Sequence, residues 1–282
     1  MPTSAQKSGL AVQAKAPSFS KLGIIAGGGE LPRLLTQYCD DHHIASYVIG
    51  FNGQTDEQIY ADYPHIKTRI GAAGRIFKWI KQNDIKDIVF IGAINRPKML
   101  TLWPDLTAFW FFISKGIWAR GDNALLVLAR KELEQRGVKL WGVHNFLPDL
   151  LTPRGVLTQK DSGNFQRDIA LGITHSQQLG AADIGQAVIV KDGQIIGLEN
   201  EAGTNALIDL HGQAGAVLVK TCKPQQDKDL DLPTIGVGTI KACAAKNMAG
   251  IAVHAGQSLI VNRAAVIRSA DEHDLFIVGV DV

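Results

Sequence analysis

Three aspartates at alternating positions, Asp227, Asp229 and Asp231, stand in the stretch KPQQDKDLDLPTIG from Lys223 to Gly236. Prolines at 224 and 233 oppose regular helix, so the segment is expected to be extended or turning, with alternate side chains sharing a direction. Like charges held on one side repel unless a cation lies between them. Oxygen ligands in that arrangement suit Mg²⁺ or Mn²⁺. An exposed acidic loop satisfies the same spacing, and spacing alone does not separate the two.

Four other stretches carry groups able to meet a ligand. GIIAGGGELP places Gly27, Gly28 and Gly29 after an apolar run, where backbone N–H groups can cradle an anion at a helix start or simply make a tight turn. It matches neither the GxGxxG fingerprint nor the GxxxxGK[ST] loop, and no acid ends the second strand to hold a ribose, which disfavours a nicotinamide cofactor. IGAINRPKML puts Asn95, Arg96 and Lys98 at a strand end, where Arg96 suits a phosphate or is a solvated loop arginine. Asp122 in ARGDNALLVL and Thr204 and Asn205 in NEAGTNAL begin helices, so capping competes with ligand contact at each. The eight histidines form no HExxH pair. Neither a Ser–His–Asp nor a Cys–His set can be assembled from order alone.

Those groups need elements to hold them. In the first half, KLGIIAGGG reads as a strand entering a glycine turn, ELPRLLTQYCDDH as a helix, ASYVIGF as a strand, AAGRIFKWIKQND as a helix and DIVFIGAI as a strand. A helix ending at Gly137 and a fourth strand, VKLWGV, complete a βαβ series. The expectation is a Rossmann-like parallel-sheet domain over residues 21–150, with ligands at the carboxyl ends of its strands. Prolines 148 and 153 mark a linker, and a second, mixed α/β domain over 155–282 carries the acidic cluster. It contains a helix, SGNFQRDIALGITHSQQLG, and a hairpin turning at Asp192–Gly193. Short strands follow, SLIVNRAAVIRSADEHD among them, with TIKACAAKNMA as a further helix.

A chain of 282 residues, 46% hydrophobic, has material for two cores, and its net charge of +2 with both signs interspersed argues against a nucleic-acid partner. Cys39, Cys222 and Cys243 lack metal or CxxC spacing and fit buried thiols of a reduced, cytoplasmic protein. Residues 1–20 read as a disordered extension. The most apolar stretch, Leu106–Trp118, contains Lys115 and falls short of the roughly 20 residues of a spanning helix. Core, or the face of a homodimer, is its expected place.

Taken in order, GIIAGGGELP, IGAINRP, GDNALL, DIGQAVIVKDG, AGTNAL and KPQQDKDLDLPTIG resemble the bacterial UDP-2,3-diacylglucosamine pyrophosphatases of lipid A synthesis, the type unrelated to calcineurin-like phosphoesterases. The resemblance runs from about Lys21 to the C-terminus. It implies an α/β enzyme that binds a lipid nucleotide sugar between its domains and hydrolyses the pyrophosphate with Mg²⁺, giving UMP and 2,3-diacylglucosamine 1-phosphate. In that family the aspartate of the DLP motif is essential, and here it is Asp231. By that resemblance Asp231, Asp227 and Lys223 are the catalytic candidates, with Asp231 and Asp227 as metal ligands. Gly27, Gly28, Gly29, Arg96, Asp122, Thr204 and Asn205 are the substrate-binding candidates. A transient contact with the inner membrane of a Gram-negative bacterium is also implied. The chain departs from the family at Asn123 and Asn205, where the family has acids, and at Asp229, where it has arginine. A homologue that binds a nucleotide sugar or lipid without turnover is the competing expectation.

Overall fold

A computed structural model of the chain describes residues 19–93 and 122–282. The expectations placed on residues 1–18, Asn95, Arg96, Lys98 and Leu106–Trp118 lie outside the described residues, as does the side chain of Asp122.

The first half follows the βαβ pattern. Its described elements are β1 (Lys21–Ala26), α1 (Leu31–Asp41), β2 (Ala45–Phe51), β3 (His65–Thr68), α2 (Ala73–Gln82), β4 (Asp87–Ile91), α3 (Asp122–Gln135) and β5 (Lys139–Trp141). All five strands are parallel, in the order β3-β2-β1-β4-β5. Alternation along β1 sets the two layers: Leu22, Ile24 and Ala26 meet Leu35 and Cys39 of α1, while Ile25 meets Ile80 of α2 and Leu133 of α3. β3 was not anticipated, because its sequence HIKT contains one large apolar residue, Ile66, and it forms by pairing with β2. Phe19, assigned to the extension, packs its ring 5.6 Å from that of Trp141.

The second half contains β6 (Gly155–Val156), α4 (Gln166–Ala181), β7 (Ala187–Lys191), β8 (Gln194–Leu198), α5 (Gly203–His211), β9 (Val217–Lys220), β10 (Thr234–Ile235), α6 (Val237–Ala245), β11 (Gly250–His254), β12 (Leu259–Ile260), α7 (Arg263–Glu272) and β13 (Phe276–Val280). The second sheet is mixed and has the order β6-β13-β11-β9-β7-β8, with β9, β11 and β13 parallel to one another. The hairpin turns where expected, with Asp192 and Gly193 at φ +51° and +75°. One side of the sheet packs Leu218 and Ile251 on Leu207 of α5, Ile240 of α6 and Val266 of α7, and the other packs Val217 and Val219 on Ile169 of α4. The sequence reading missed α7. Its Asn262 leaves the preceding apolar run in the left-handed region at φ +56° and accepts a hydrogen bond from the Ala265 N–H, which starts a helix in the middle of what read as strand.

The segment after β9 ties the two sheets together. Leu230 joins the cluster containing Phe51, Ile88 and Leu133, while Leu232 joins the one containing Leu22, Ile24 and Phe146. Each leucine is 6% exposed, so the chain between β9 and β10 sends a side chain into each face of the first core. Leu230→Ala and Leu232→Ala should each lower stability by about 2–4 kcal/mol in denaturant titrations, the usual cost of emptying a packed leucine site.

Candidate active site

The acidic stretch is a turn and not an extended strand. The Asp227 carbonyl accepts the N–H groups of Leu230 (3.0 Å) and Asp231 (3.1 Å), and the Asp227 carboxylate accepts the Asp229 N–H at 3.1 Å. This side-chain-to-backbone bond coils the chain, so the three carboxylates do not share a direction. Asp227 meets the Arg130 guanidinium of α3 at 2.5 Å. Asp229 lies 3.6 Å from the same group and 3.8 Å from His144 Nε2, at the carboxyl end of β5. Lys223 pairs with Asp183 at 2.6 Å. Of the three catalytic candidates, two are therefore occupied by ion pairs.

Asp231 is different. It has no ion pair within 4 Å among the described residues; its polar contact is the side-chain N–H of Gln226, 3.2 Å from Oδ2. It opens to solvent, yet protein surrounds it closely enough that desolvation raises its carboxyl pKa, while Lys220 and Lys223 pull it down.

Beside it runs a chain of buried polar groups that the sequence did not reveal. Lys220, the last residue of β9, is 9% exposed and donates to Thr204 Oγ1 at 3.0 Å and to the Thr234 carbonyl at 3.4 Å. Thr204 donates in turn to Glu199 Oε1 at 2.5 Å, and the second Glu199 oxygen accepts the Gln186 N–H at 2.7 Å. Thr204 is thus no cap: the N-cap of α5 is Ala202, without a side-chain capping bond. Burial lowers the Lys220 pKa, and Glu199 and Asp231 counter it. In the sequence Lys220 sits in the apolar run GAVLVKT and Glu199 in a turn; the lysine closing an otherwise apolar strand was the available signal. His254, the last residue of the neighbouring strand β11, is also buried, and its Nδ1 has no hydrogen-bond partner among the described residues. Asn205 is exposed on α5.

The glycine loop is held by its own backbone. Gly27 N–H donates to the Ile91 carbonyl (2.8 Å) and Gly28 N–H to the Ala93 carbonyl (2.7 Å), so these donors close the crevice between β1 and β4. A Cβ on Gly27 would lie 2.5 Å from the Ala93 oxygen, which explains the glycine sterically. Gly29, at φ +93°, has open space around it. All three cysteines are buried, and desolvation pushes Cys39 and Cys222 up to about 11 and Cys243 to about 12, which keeps them as thiols.

Metal-holding capacity is limited. Among the described residues no group of three or more His, Cys, Asp or Glu side chains converges as a metal site. Asp231 alone offers one carboxylate, so an ion held there would have to complete its shell from ligand oxygens and water.

These features define an α/β protein in which the carboxyl edge of a parallel sheet meets a solvent-facing carboxylate and a buried ammonium from a second, mixed sheet. Comparison with known proteins places it among its relatives: residues 21–150 match the LpxI N-terminal domain and residues 153–278 the LpxI C-terminal domain. The chain is 35% identical over 274 residues to the UDP-2,3-diacylglucosamine pyrophosphatase LpxI of Caulobacter vibrioides, covering 93% of this chain and 98% of that protein. The chain belongs to the LpxI family.

One titration follows from the site. Burial is the first cause that lowers the His254 pKa, so the folded protein binds this proton more weakly than the unfolded chain does. Stability from this residue is present above the unfolded value of about 6.5 and is lost as pH falls through the folded value. The melting temperature of the wild type should fall more between pH 7.5 and 5.5 than that of His254→Gln, as followed by circular dichroism.

Proposed function

We propose that the protein hydrolyses the pyrophosphate of UDP-2,3-diacylglucosamine to UMP and 2,3-diacylglucosamine 1-phosphate, a step of lipid A biosynthesis. The observation that carries this reading is Asp231: a solvent-facing carboxylate with no ion pair among the described residues, within electrostatic reach of the buried Lys220, in a chain of the LpxI family. Asp231 holds Mg²⁺, with Mn²⁺ as a substitute, or accepts a proton from the attacking water. When bound, the ion neutralises phosphoryl charge and lowers the pKa of a coordinated water.

Local charge supports the need for that ion. Lys223 pairs with Asp183 and Lys220 faces Glu199 through Thr204, so both cations are shared between Asp231 and another acid, and an anionic pyrophosphate still meets a carboxylate there. Two anions approach only with a cation between them. Arg130 does not supply it, because Asp227, Asp229 and Glu134 surround it; its part is to hold the turn that presents Asp231.

No helix among the described residues is long and apolar enough to cross a membrane. A diacylated substrate resides at a bilayer surface, so the reading includes transient contact with the inner membrane from the cytoplasmic side, and a homodimer as the assembled form.

The test is release of UMP from UDP-2,3-diacylglucosamine by the purified protein, with Mg²⁺ or with excess chelator, beside Asp231→Ala. Turnover that needs the metal and falls about 100-fold or more in the variant is the expected result. Tight substrate binding without turnover in the wild type would favour the competing expectation of a binding protein, and Asn123, Asn205 and Asp229 would then be the positions to revert.

A further inference from the structure

Lys220 is a buried cation at the end of an otherwise apolar strand. It ends β9 on the side of the second sheet that packs Leu218 and Ile251 against α5 and α6, and it is 9% exposed. Removing an ammonium from water costs several kcal/mol even after pairing, and a fold that needed stability alone could do without the whole Lys220–Glu199 arrangement, since apolar residues in place of a buried ion pair are often at least as stable. The hydrogen bonds around it also run one way. The Thr204 proton goes to Glu199, so the Thr204 oxygen accepts from Lys220, and the Gln186 N–H closes the far end of Glu199. An ammonium has three N–H donors. Thr204 takes one, the Thr234 carbonyl takes a second at the long distance of 3.4 Å, and no described residue takes the third.

We infer that Lys220 is a catalytic residue whose free N–H donates to a phosphoryl oxygen of the bound pyrophosphate, with Thr204 and Glu199 as the positioning residues that fix its ammonium. The inference rests on the proposed function and deepens it. In the step served, the water oxygen bonds to one phosphorus and the bridging P–O bond breaks, the bridging oxygen keeping the electron pair. The two protons of water end on the two phosphate monoester products or in bulk solvent. Lys220 gives a hydrogen bond and keeps its proton; its charge stabilises the negative charge that gathers on phosphoryl oxygen as the bond breaks. A donor held in place before the reaction needs no reorganisation, which is the service of the Thr204–Glu199 chain.

The experiment compares wild type, Lys220→Met and Thr204→Val in three readings: melting temperature, UMP release under saturating substrate, and UDP affinity by calorimetry in Mg²⁺. Lys220→Met strips the buried Glu199 of the cation that faces it and should melt several degrees below the wild type; in its folded form it should lose turnover by about 100- to 1,000-fold and bind UDP at least about 10-fold more weakly. Thr204→Val keeps the charge and the volume. It should lower turnover by about 10-fold while its melting temperature stays within a few degrees of wild type, and it carries the test if Lys220→Met does not fold. Turnover and UDP affinity within about 3-fold of wild type in folded Lys220→Met, or in Thr204→Val where that variant carries the test, would overturn the assignment. UDP binding separates the two readings. A wild type that binds UDP without hydrolysing the substrate sinks the proposed hydrolysis, while a weaker grip on UDP in Lys220→Met still supports the ammonium as a phosphate contact. A wild type that neither hydrolyses nor binds UDP overturns both.

Discussion

The insertion of Leu230 and Leu232 into two different cores is the constraint on which the arrangement of the site depends. A segment with leucines two residues apart can fill sites on both faces of a sheet only by crossing that sheet at its edge, and here the edge is the carboxyl end of the parallel strands. Asp231 lies between the leucines and is therefore left facing outward where they face inward. Arg130 and the Asp227 turn add direction to this anchor, because a coiled backbone bound to a guanidinium has few other ways to lie. Hydrophobic burial supplies the hold and the ion pairs supply the orientation.

The polar chemistry is correspondingly divided between two environments. Acids on the Arg130 side are neutralised by cations and face the first sheet. On the other side, Glu199, Thr204 and Lys220 form a sequestered chain in which every member has one low-energy orientation. Asp231 stands between these environments, hydrogen-bonded to Gln226 and without an ion pair among the described residues. Such a group is unfavourable for stability and useful for binding a cation or proton, a division of labour often found where folds give up stability for function.

Much of the fold was legible in the sequence because the two periodicities are clear. The short continuous apolar run in KLGIIA and the helical spacing in ELPRLLTQYCDDH identify βαβ units without any tertiary information. The missed elements are those fixed by distant partners: β3 exists through its pairing with β2, and α7 begins because Asn262 turns the chain. The same distinction governs the site. The motif containing Asp231 and the position of Thr204 could be read along the chain. The pairing of Asp227 with Arg130, 97 residues away, could not. Lys220 was only faintly signalled for a related reason: a lysine closing the apolar run GAVLVKT can be read along the chain, but its burial near Glu199 cannot.

The two leucine anchors also bear on how the protein is made. Their host clusters are built mainly from residues 22–146, with Cys222 and Leu259 also drawn from the second half, and the anchors themselves are more than eighty residues further along. As the chain leaves the ribosome, the first sheet still lacks these four buried side chains. Until the chain is synthesised through β12, that nascent unit exposes the apolar surface they later cover. Contacts of such long sequence separation form late, and open apolar surface invites association between unfinished chains. Completion of the site and protection of the nascent chain are thus the same event.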